Sequence, residues 1–375
     1  MTERWQTQLE RIERLHPDGD LLERARQRPL PPLPNDGPGR RAGAILVAAG
    51  LTVGLAFGGY IVLSDRSPSS DPITAPQGPV ENGDLLFAKS TDDGWHVFSL
   101  DRETGEAVEL TDGGRDYGSD WAPDGSKIVY DSETGAGYDI VIADADGSNP
   151  VVIAEGESPA WSPDGTRIAY RGEDRAIWVV NVDGSDAHPI TDPTGAVREG
   201  SQQSPYDWNP SWSPDGSSIA YTRVVEERFA PTLNGEVQAQ VTREELRVWS
   251  EDGSDVALTD AFSHLGAIDW SPDGSTLVFS GAPTLFDEEA SSGIAWPRVL
   301  LIPASGGEVT AISPERDRWI GGATWSPDGE WIAFQDDYET IAMIRPDGSD
   351  RSEIDLGYEV IGVSWGVASR ATPTT

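Results

Sequence analysis

Cysteine is absent from the 375 residues, which excludes a disulfide framework, a thiolate metal site, a cysteine nucleophile and lipid attachment through sulfur. Methionine occurs only as Met1 and Met343, and lysine only as Lys89 and Lys127, beside 25 arginines. That bias points to a GC-rich bacterial genome. Positive charge is scarce: 27 Lys and Arg stand against 64 Asp and Glu, a formal net charge of −37. A phosphate-binding surface needs clustered cations to displace counterions, so nucleic acid is not an expected partner. The histidines, His16, His96, His188 and His264, form no HExxH or other helical zinc spacing, and there is no Gly-x-Ser-x-Gly elbow. The sequence therefore offers no catalytic residue, metal ligand or cofactor site, and the expectation is a non-enzyme. What it has in quantity is turn residues, 41 Gly and 28 Pro, as in all-β chains.

Residues 42–63, AGAILVAAGLTVGLAFGGYIVL, carry no charge over 22 positions. A helix of that length reaches roughly 33 Å, enough to cross a bilayer core. It starts too late for a cleaved signal peptide, and eight arginines precede it, with Arg40 and Arg41 at its edge. The expectation is an uncleaved anchor in the cell membrane, amino terminus cytoplasmic and everything after residue 63 outside. Gly50, Gly54 and Gly58 recur every four residues, a spacing that allows two such helices to dimerise. Before it, residues 1–41 read as a cytoplasmic stub with an amphipathic helix (Trp5, Leu9, Ile12, His16) and the polyproline-type spacer RPLPPLP. After it, residues 64–80 are a Pro/Ser-rich linker and 368–375 a disordered tail. Split at the membrane, the charge is +1 for residues 1–41 and −38 for residues 64–375.

Residues 81–367 are dominated by a repeat. Trp-Ser/Ala-Pro-Asp-Gly occurs at Trp121–Gly125, Trp161–Gly165, Trp212–Gly216, Trp270–Gly274 and Trp325–Gly329. Each copy leads into a short β-branched strand ending in an aromatic: KIVY, RIAY, SIAY, TLVF, WIAF. A second strand follows, then a turn that is DGS at 146, 183, 252 and 347, then a third strand. With the strand that ends at the Trp, each unit has four strands, which is a propeller blade. DLLFAKS (84–90) lacks a preceding turn, and GVSWG (362–366) lacks a following strand. Joining them gives six blades, the carboxy-terminal strand completing the first so that no sheet edge is left open.

These units resemble the WD-like repeats of the TolB family, whose carboxy-terminal domain is a six-bladed propeller. The resemblance covers about 82–367 and implies an all-β, six-bladed fold. TolB proteins are periplasmic and carry a mixed α/β domain ahead of the propeller. An anchor and a tether stand there in this chain, so the resemblance does not imply the Tol-Pal partners. Propellers of prolyl oligopeptidase relatives have similar blades, but an α/β-hydrolase domain is not expected in the residues after Trp365.

The repeat tryptophans are expected to pack between blades. DADGSN (144–149) has the acids of a calcium loop and Glu155 at its twelfth place, but Asn149 stands where the sixth must be Gly, so a tight turn is expected. Asp120 and Asp269 each precede a repeat Trp three blades apart. They would face one another across the axis, either holding a cation or water cluster or accepting local backbone donors. In a four-stranded meander the Trp-Ser/Ala-Pro-Asp-Gly and DGS turns share one rim. The other rim takes the variable connections, of which 192–209, 224–245 and 282–297 are long. Tyr206, Trp208, Arg228, Phe229, Phe286, Trp296, Arg318 and Trp319 belong to that rim, and aromatic and Arg side chains on exposed loops carry interface energy. The expected function is a membrane-anchored binding module for a protein, peptide or envelope glycan. The alternatives are a transmembrane signalling component whose stub binds a regulator such as a sigma factor, and a propeller hydrolase or lactonase using a channel calcium.

Overall fold

The computed structural model describes residues 81–193, 205–231, 238–259, 262–283, 296–314 and 319–368. The chain divides into two units, Met1–Leu63 and Ser64–Thr375, and every described residue lies in the second. The expected stub, the anchor with Gly50, Gly54 and Gly58, the linker 64–80 and the tail beyond residue 368 lie outside the described residues. Among the described residues no helix is long and apolar enough to cross a membrane.

The described residues form a six-bladed β-propeller. Blade 1 consists of β1 (Asn82–Ser90), β2 (Trp95–Leu100), β3 (Ala107–Glu109) and the last strand of the chain, β25 (Val360–Val367). Blade 2 is β4 (Asp116–Trp121), β5 (Lys127–Glu133), β6 (Tyr138–Asp144) and β7 (Val151–Glu155). Blade 3 is β8 (Glu157–Trp161), β9 (Arg167–Arg171), β10 (Ile177–Asn181) and β11 (His188–Pro189). Blade 4 is β12 (Tyr206–Trp212), β13 (Ser218–Pro231), β14 (Gln238–Ser250) and β15 (Asp255–Ala257). A two-residue strand, β16 (Phe262–Ser263), precedes blade 5, which is β17 (Ile268–Trp270), β18 (Thr276–Pro283), β19 (Arg298–Pro303) and β20 (Thr310–Ala311). Blade 6 is β21 (Ile320–Trp325), β22 (Ile332–Asp336), β23 (Thr340–Ile344) and β24 (Ser352–Asp355). The closure expected from the two fragments is present: Leu85 pairs with Trp365 and Lys89 with Val360.

The core lies between blades, because a strand alternates its side chains between two faces. On β5, Ile128 and Tyr130 pack with Leu86 and Val97 of blade 1, while Val129 packs with Trp161 and Ile168 of blade 3. The pattern continues round the ring, with Ala160 against Trp212, Ala220 against Trp270, Val278 against Trp325 and Ala333 against Trp365. Each interface thus has its own apolar cluster, and burying one Phe such as Phe279 contributes about 1.5–3 kcal/mol. The six inner strands contact one another in sequence, β25 to β4, β8, β12, β17, β21 and back, around the axial channel.

The long connection expected at 224–245 is largely an extension of two strands. Strands β13 and β14 run past the blade, their register continuing from Val224 opposite Glu244 to Pro231 opposite Gln238. The six residues from Glu226 project about 20 Å at the usual rise per residue, so a β-ribbon arm leaves the rim. The sequence between the strands carries Asn234–Gly235, the dipeptide that favours a two-residue hairpin turn. At the arm's base, β16 pairs Phe262 both with Glu244 of β14 and with Pro283 of β18, joining blades 4 and 5 into one sheet.

Candidate functional site

The rim that carries the repeated turns is regular. In the five Trp-Ser/Ala-Pro-Asp-Gly copies the Gly φ lies between 70° and 72°, left-handed geometry that a side chain disfavours. Where the second residue is Ser, its hydroxyl donates to the turn Asp at 2.5–2.7 Å and accepts the amide of the next strand at 2.9–3.0 Å. The turns also touch: the ring of Pro163 lies against Gly216, Pro214 against Gly274 and Pro272 against Gly329. The backbone amide of Ser217 and the hydroxyls of Ser213 and Ser217 hold Asp215 below the usual carboxylate range. In the DADGSN segment, Asp144 accepts from Lys127 Nζ at 2.6 Å and Asn149 Nδ2 at 2.7 Å. Among the described residues no three His, Asp or Glu are placed to hold a metal ion. Where the ring closes without a repeat turn, this rim has a cleft of about 450 Å³ lined in part by Asp84, Asp101, Arg102, Trp121 and Asp146.

In the channel, Asp120 and Asp269 act as staples between blades. Asp120 accepts the amides of Trp121 at 2.9 Å and Trp161 of blade 3 at 2.8 Å, and the hydroxyl of Ser364 of blade 1 at 2.8 Å. Asp269 accepts the amides of Trp270 and of Trp325 of blade 6, both at 2.8 Å, and the Thr324 hydroxyl at 2.9 Å. Burial raises Asp120, and it pushes Asp269 up to about 7, with the charge of Asp120 adding to the shift. Of the two sequence alternatives, backbone donors are engaged here, and half of them come from neighbouring blades.

The opposite rim is where the blades differ. At the foot of the arm, Arg223 donates to both oxygens of Asp207 at 2.6 and 2.8 Å, and both side chains are buried. Tyr221 Oη donates to Asp255 at 2.8 Å, Arg247 donates to Asp255 at 3.0 Å and to Glu245 at 2.7 Å, and Glu244 accepts the Leu265 amide at 2.6 Å. The buried Asp207–Arg223 pair, with this partly exposed cluster beside it, ties the root of β13 and β14 to the blade.

The residues singled out in the sequence sit in different settings where the structure describes them. Tyr206 lies beneath Arg171 and Arg175 of blade 3, at 5.3 and 5.7 Å from the ring centre, and is pinned to that blade. Trp208 is half-buried, its indole NH enclosed without an acceptor. Trp319 meets His264 edge-on at 5.7 Å, and Trp296 is half-buried just before β19. Arg228 and Phe229 occupy the arm, opposite Val241 and Gln240; Phe286 and Arg318 lie outside the described residues.

The sequence reading passed over a cluster on blades 1 and 2 of the same rim. Trp95 and Tyr117 are 6.0 Å apart between ring centres, and Tyr117 and Tyr138 are 6.3 Å apart. All three are partly exposed. Each stands just after a short glycine-bearing turn, at Gly94, Gly114 and Gly137. Short turns give no length signal, whereas the Gly-aromatic pairs at 94–95 and 137–138 mark two of its three residues.

No family model matches this chain, and neither does any curated protein. Among solved structures, TolB from Acinetobacter baumannii is similar with a TM-score of 0.57 at 18% identity, over 76% of this chain and 66% of that one. A chain of a nidogen/laminin complex is similar with a TM-score of 0.54 at 15% identity, over 77% of this chain and 99% of that one. Likeness at such identities is one of fold and carries no activity with it: this is a six-bladed β-propeller resembling TolB.

Proposed function

We propose that the protein is a membrane-anchored, extracytoplasmic binding module with no chemistry of its own. In this reading it holds a protein, peptide or envelope glycan on the loop-bearing rim, and residues 42–63 anchor and pair it in the membrane. The observation that supports this most is the arm. A two-stranded ribbon is marginal alone, yet here the buried Asp207–Arg223 pair and the β16 stitch fix its root. Nothing comparable elaborates the turn rim among the described residues. That rim also receives the chain at Asn82 and releases it at Val367, so the loop-bearing rim is the end remote from the tether's attachment. Replacing 226–243 by Asn-Gly is expected to abolish co-purification of the partner captured by the parent protein. Undiminished capture by the shortened protein would remove the arm from the recognition surface.

A further inference from the structure

The aromatic cluster on blades 1 and 2 has a position, a composition and an unusual emptiness that together point to a ligand. Its geometry is built in. Gly94 approaches the connection to blade 2 so closely that a Cβ there would lie 1.9 Å from the Gly114 carbonyl oxygen. That approach sets Trp95 beside Tyr117. The turns around it are small: added Cβ atoms at Gly113, Gly114 and Gly135 would meet nothing within 4 Å, and all three rings are partly exposed.

Carboxylates surround the rings. Burial and then Glu133 raise the hydroxyls of both Tyr117 and Tyr138, and Glu157 and Asp131 add to the effect at Tyr138. Glu173, from the facing turn of blade 3, comes within 3.9 Å of where a Gly137 Cβ would be. Two local cations answer part of this charge. Arg115 pairs with Glu133 at 3.2 Å, and Arg171 with Glu157 at 2.5 Å. Asp131 is buried, gives one oxygen to the Ser158 amide at 2.7 Å, and has its other oxygen enclosed without a donor.

Elsewhere the chain covers its own rings with its own cations. Eight Lys or Arg side chains lie over aromatic faces, among them Lys89 over Tyr358 at 3.9 Å, Arg345 over Trp331 at 4.1 Å and Arg167 over Trp212 at 4.6 Å. Among the described residues none lies over Trp95, Tyr117 or Tyr138, although Arg115 is next to them and turns to Glu133 instead. Ring faces attract cations through their quadrupole, and a unit of charge −38 concentrates cations at its surface.

We propose that Trp95, Tyr117 and Tyr138, with the surrounding carboxylates, seat an arginine or lysine side chain of a basic segment in a protein partner. The inference rests on the loop-bearing rim being the recognition surface. It adds the partner's chemistry and a second contact point away from the arm.

The test is a titration of the full chain in detergent with a labelled tetra-arginine amide, followed by anisotropy. Four variants of unchanged or nearly unchanged charge are compared, with melting curves to confirm folding: Trp95→Leu, Tyr138→Leu, Tyr138→Phe and the 226–243 replacement. The parent and Tyr138→Phe should bind alike. Each leucine variant should bind about five- to tenfold more weakly, the range of a partly exposed cation–π contact, and the arm replacement should bind as the parent does. Equal binding by the parent and both leucine variants would mean that the diffuse acidic field alone holds the peptide, and would overturn the site. Loss on arm replacement with none in the leucine variants would move the cation seat to the arm, leaving the rim assignment standing while this inference fails. A neutral probe, chitotetraose, should not bind; sugar binding abolished by Trp95→Leu would overturn the cation assignment in favour of a glycan.

Discussion

The two ends of this propeller use aspartate in opposite ways. At the turn rim, Asp215 and Asp273 sit near solvent and accept hydrogen bonds from serine hydroxyls and amides within their own turns, which hold them below the usual carboxylate range. In the channel and toward the other rim, Asp120, Asp131, Asp207 and Asp269 are enclosed, and burial raises each of them despite the donors it receives. The first group is a local device, repeated wherever the sequence repeats. The second joins pieces of chain far apart in sequence, as when Asp120 takes the amide of Trp161 and the hydroxyl of Ser364. Turn-rim carboxylates therefore mainly shape their own turns, Asp328, which also accepts from Asn82 of blade 1 at 2.8 Å, being an exception, and enclosed carboxylates hold blades and the arm in relation to each other.

The sharpest way to break that distinction is to remove an enclosed carboxylate that has a cationic partner. Asp207→Ala leaves Arg223 charged and buried, and a broken buried pair costs about 3–5 kcal/mol. Chemical denaturation should register that loss. The double variant Asp207→Leu with Arg223→Met, which removes both charges, should recover most of it. If the single variant costs no more than a surface change, the pair is not what fixes the root of the arm.

The next effect concerns acidity. Asp269 and Asp131 each stand at about 7 in the folded protein, against an ordinary value of 3.8, and burial is the main cause in both. Between those values the folded chain holds protons that the unfolded chain has released. Stability from these groups is therefore greatest near pH 4 and falls as pH rises through about 7, by at most about 1.4 kcal/mol per pH unit for each group. Asp269→Asn should flatten the slope of unfolding free energy between pH 5 and 8. The turn-rim carboxylates have the opposite sign, and their contribution disappears only when pH drops below the ordinary carboxylate value. A slope unchanged by Asp269→Asn would mean that Asp269 does not titrate in this range.

How far each rim was legible follows the same division. Trp-Ser-Pro-Asp-Gly encodes its own geometry within five residues, so the blade number, the shared rim and the closure by GVSWG could be read directly. The inner position that Asp120 and Asp269 share was also visible, but their donors were not, because Trp161 and Trp325 are 41 and 56 residues away. On the loop-bearing rim, chain length showed where the blades differ but not the form of the connections. The segment 224–245 stood out only as a long connection, although Asn234–Gly235 already signalled a hairpin. Tyr206, expected on the contact surface, is partly exposed and has Arg171 and Arg175 beside its ring, a pairing that its position in the sequence did not show. Trp95, Tyr117 and Tyr138 come from three short turns, and what brings them together is the packing of blade 1 on blade 2.

A smaller effect separates the repeats from each other. The first copy has Ala122 where four copies have Ser, so it lacks the hydroxyl that bridges the turn Asp to the next strand. Ser271→Ala should cost about 1 kcal/mol, the worth of an ordinary hydrogen bond. Ala122→Ser should gain a similar or smaller amount, because Asp124 already accepts the Ser126 amide at 2.9 Å and has capacity for the hydroxyl. Thermal melting of the two variants against the parent measures both changes, and a loss on Ala122→Ser would mean that the first turn is packed differently from the others.

The smallest expected effect on stability is also the strictest test of whether the two rims divide labour. If the arm serves recognition, the fold should not depend on it. Replacing 226–243 by Asn-Gly keeps the Val224–Glu244 pairing, the Phe262 stitch and the Asp207–Arg223 pair. It removes only a ribbon that lies beyond the inter-blade clusters. The unfolding free energy should stay within about 0.5 kcal/mol of the parent, the range of surface changes away from buried features. A loss of several kcal/mol would show that the arm is part of the blade 4 to blade 5 joint, and the loop-bearing rim would then owe its elaboration to structure.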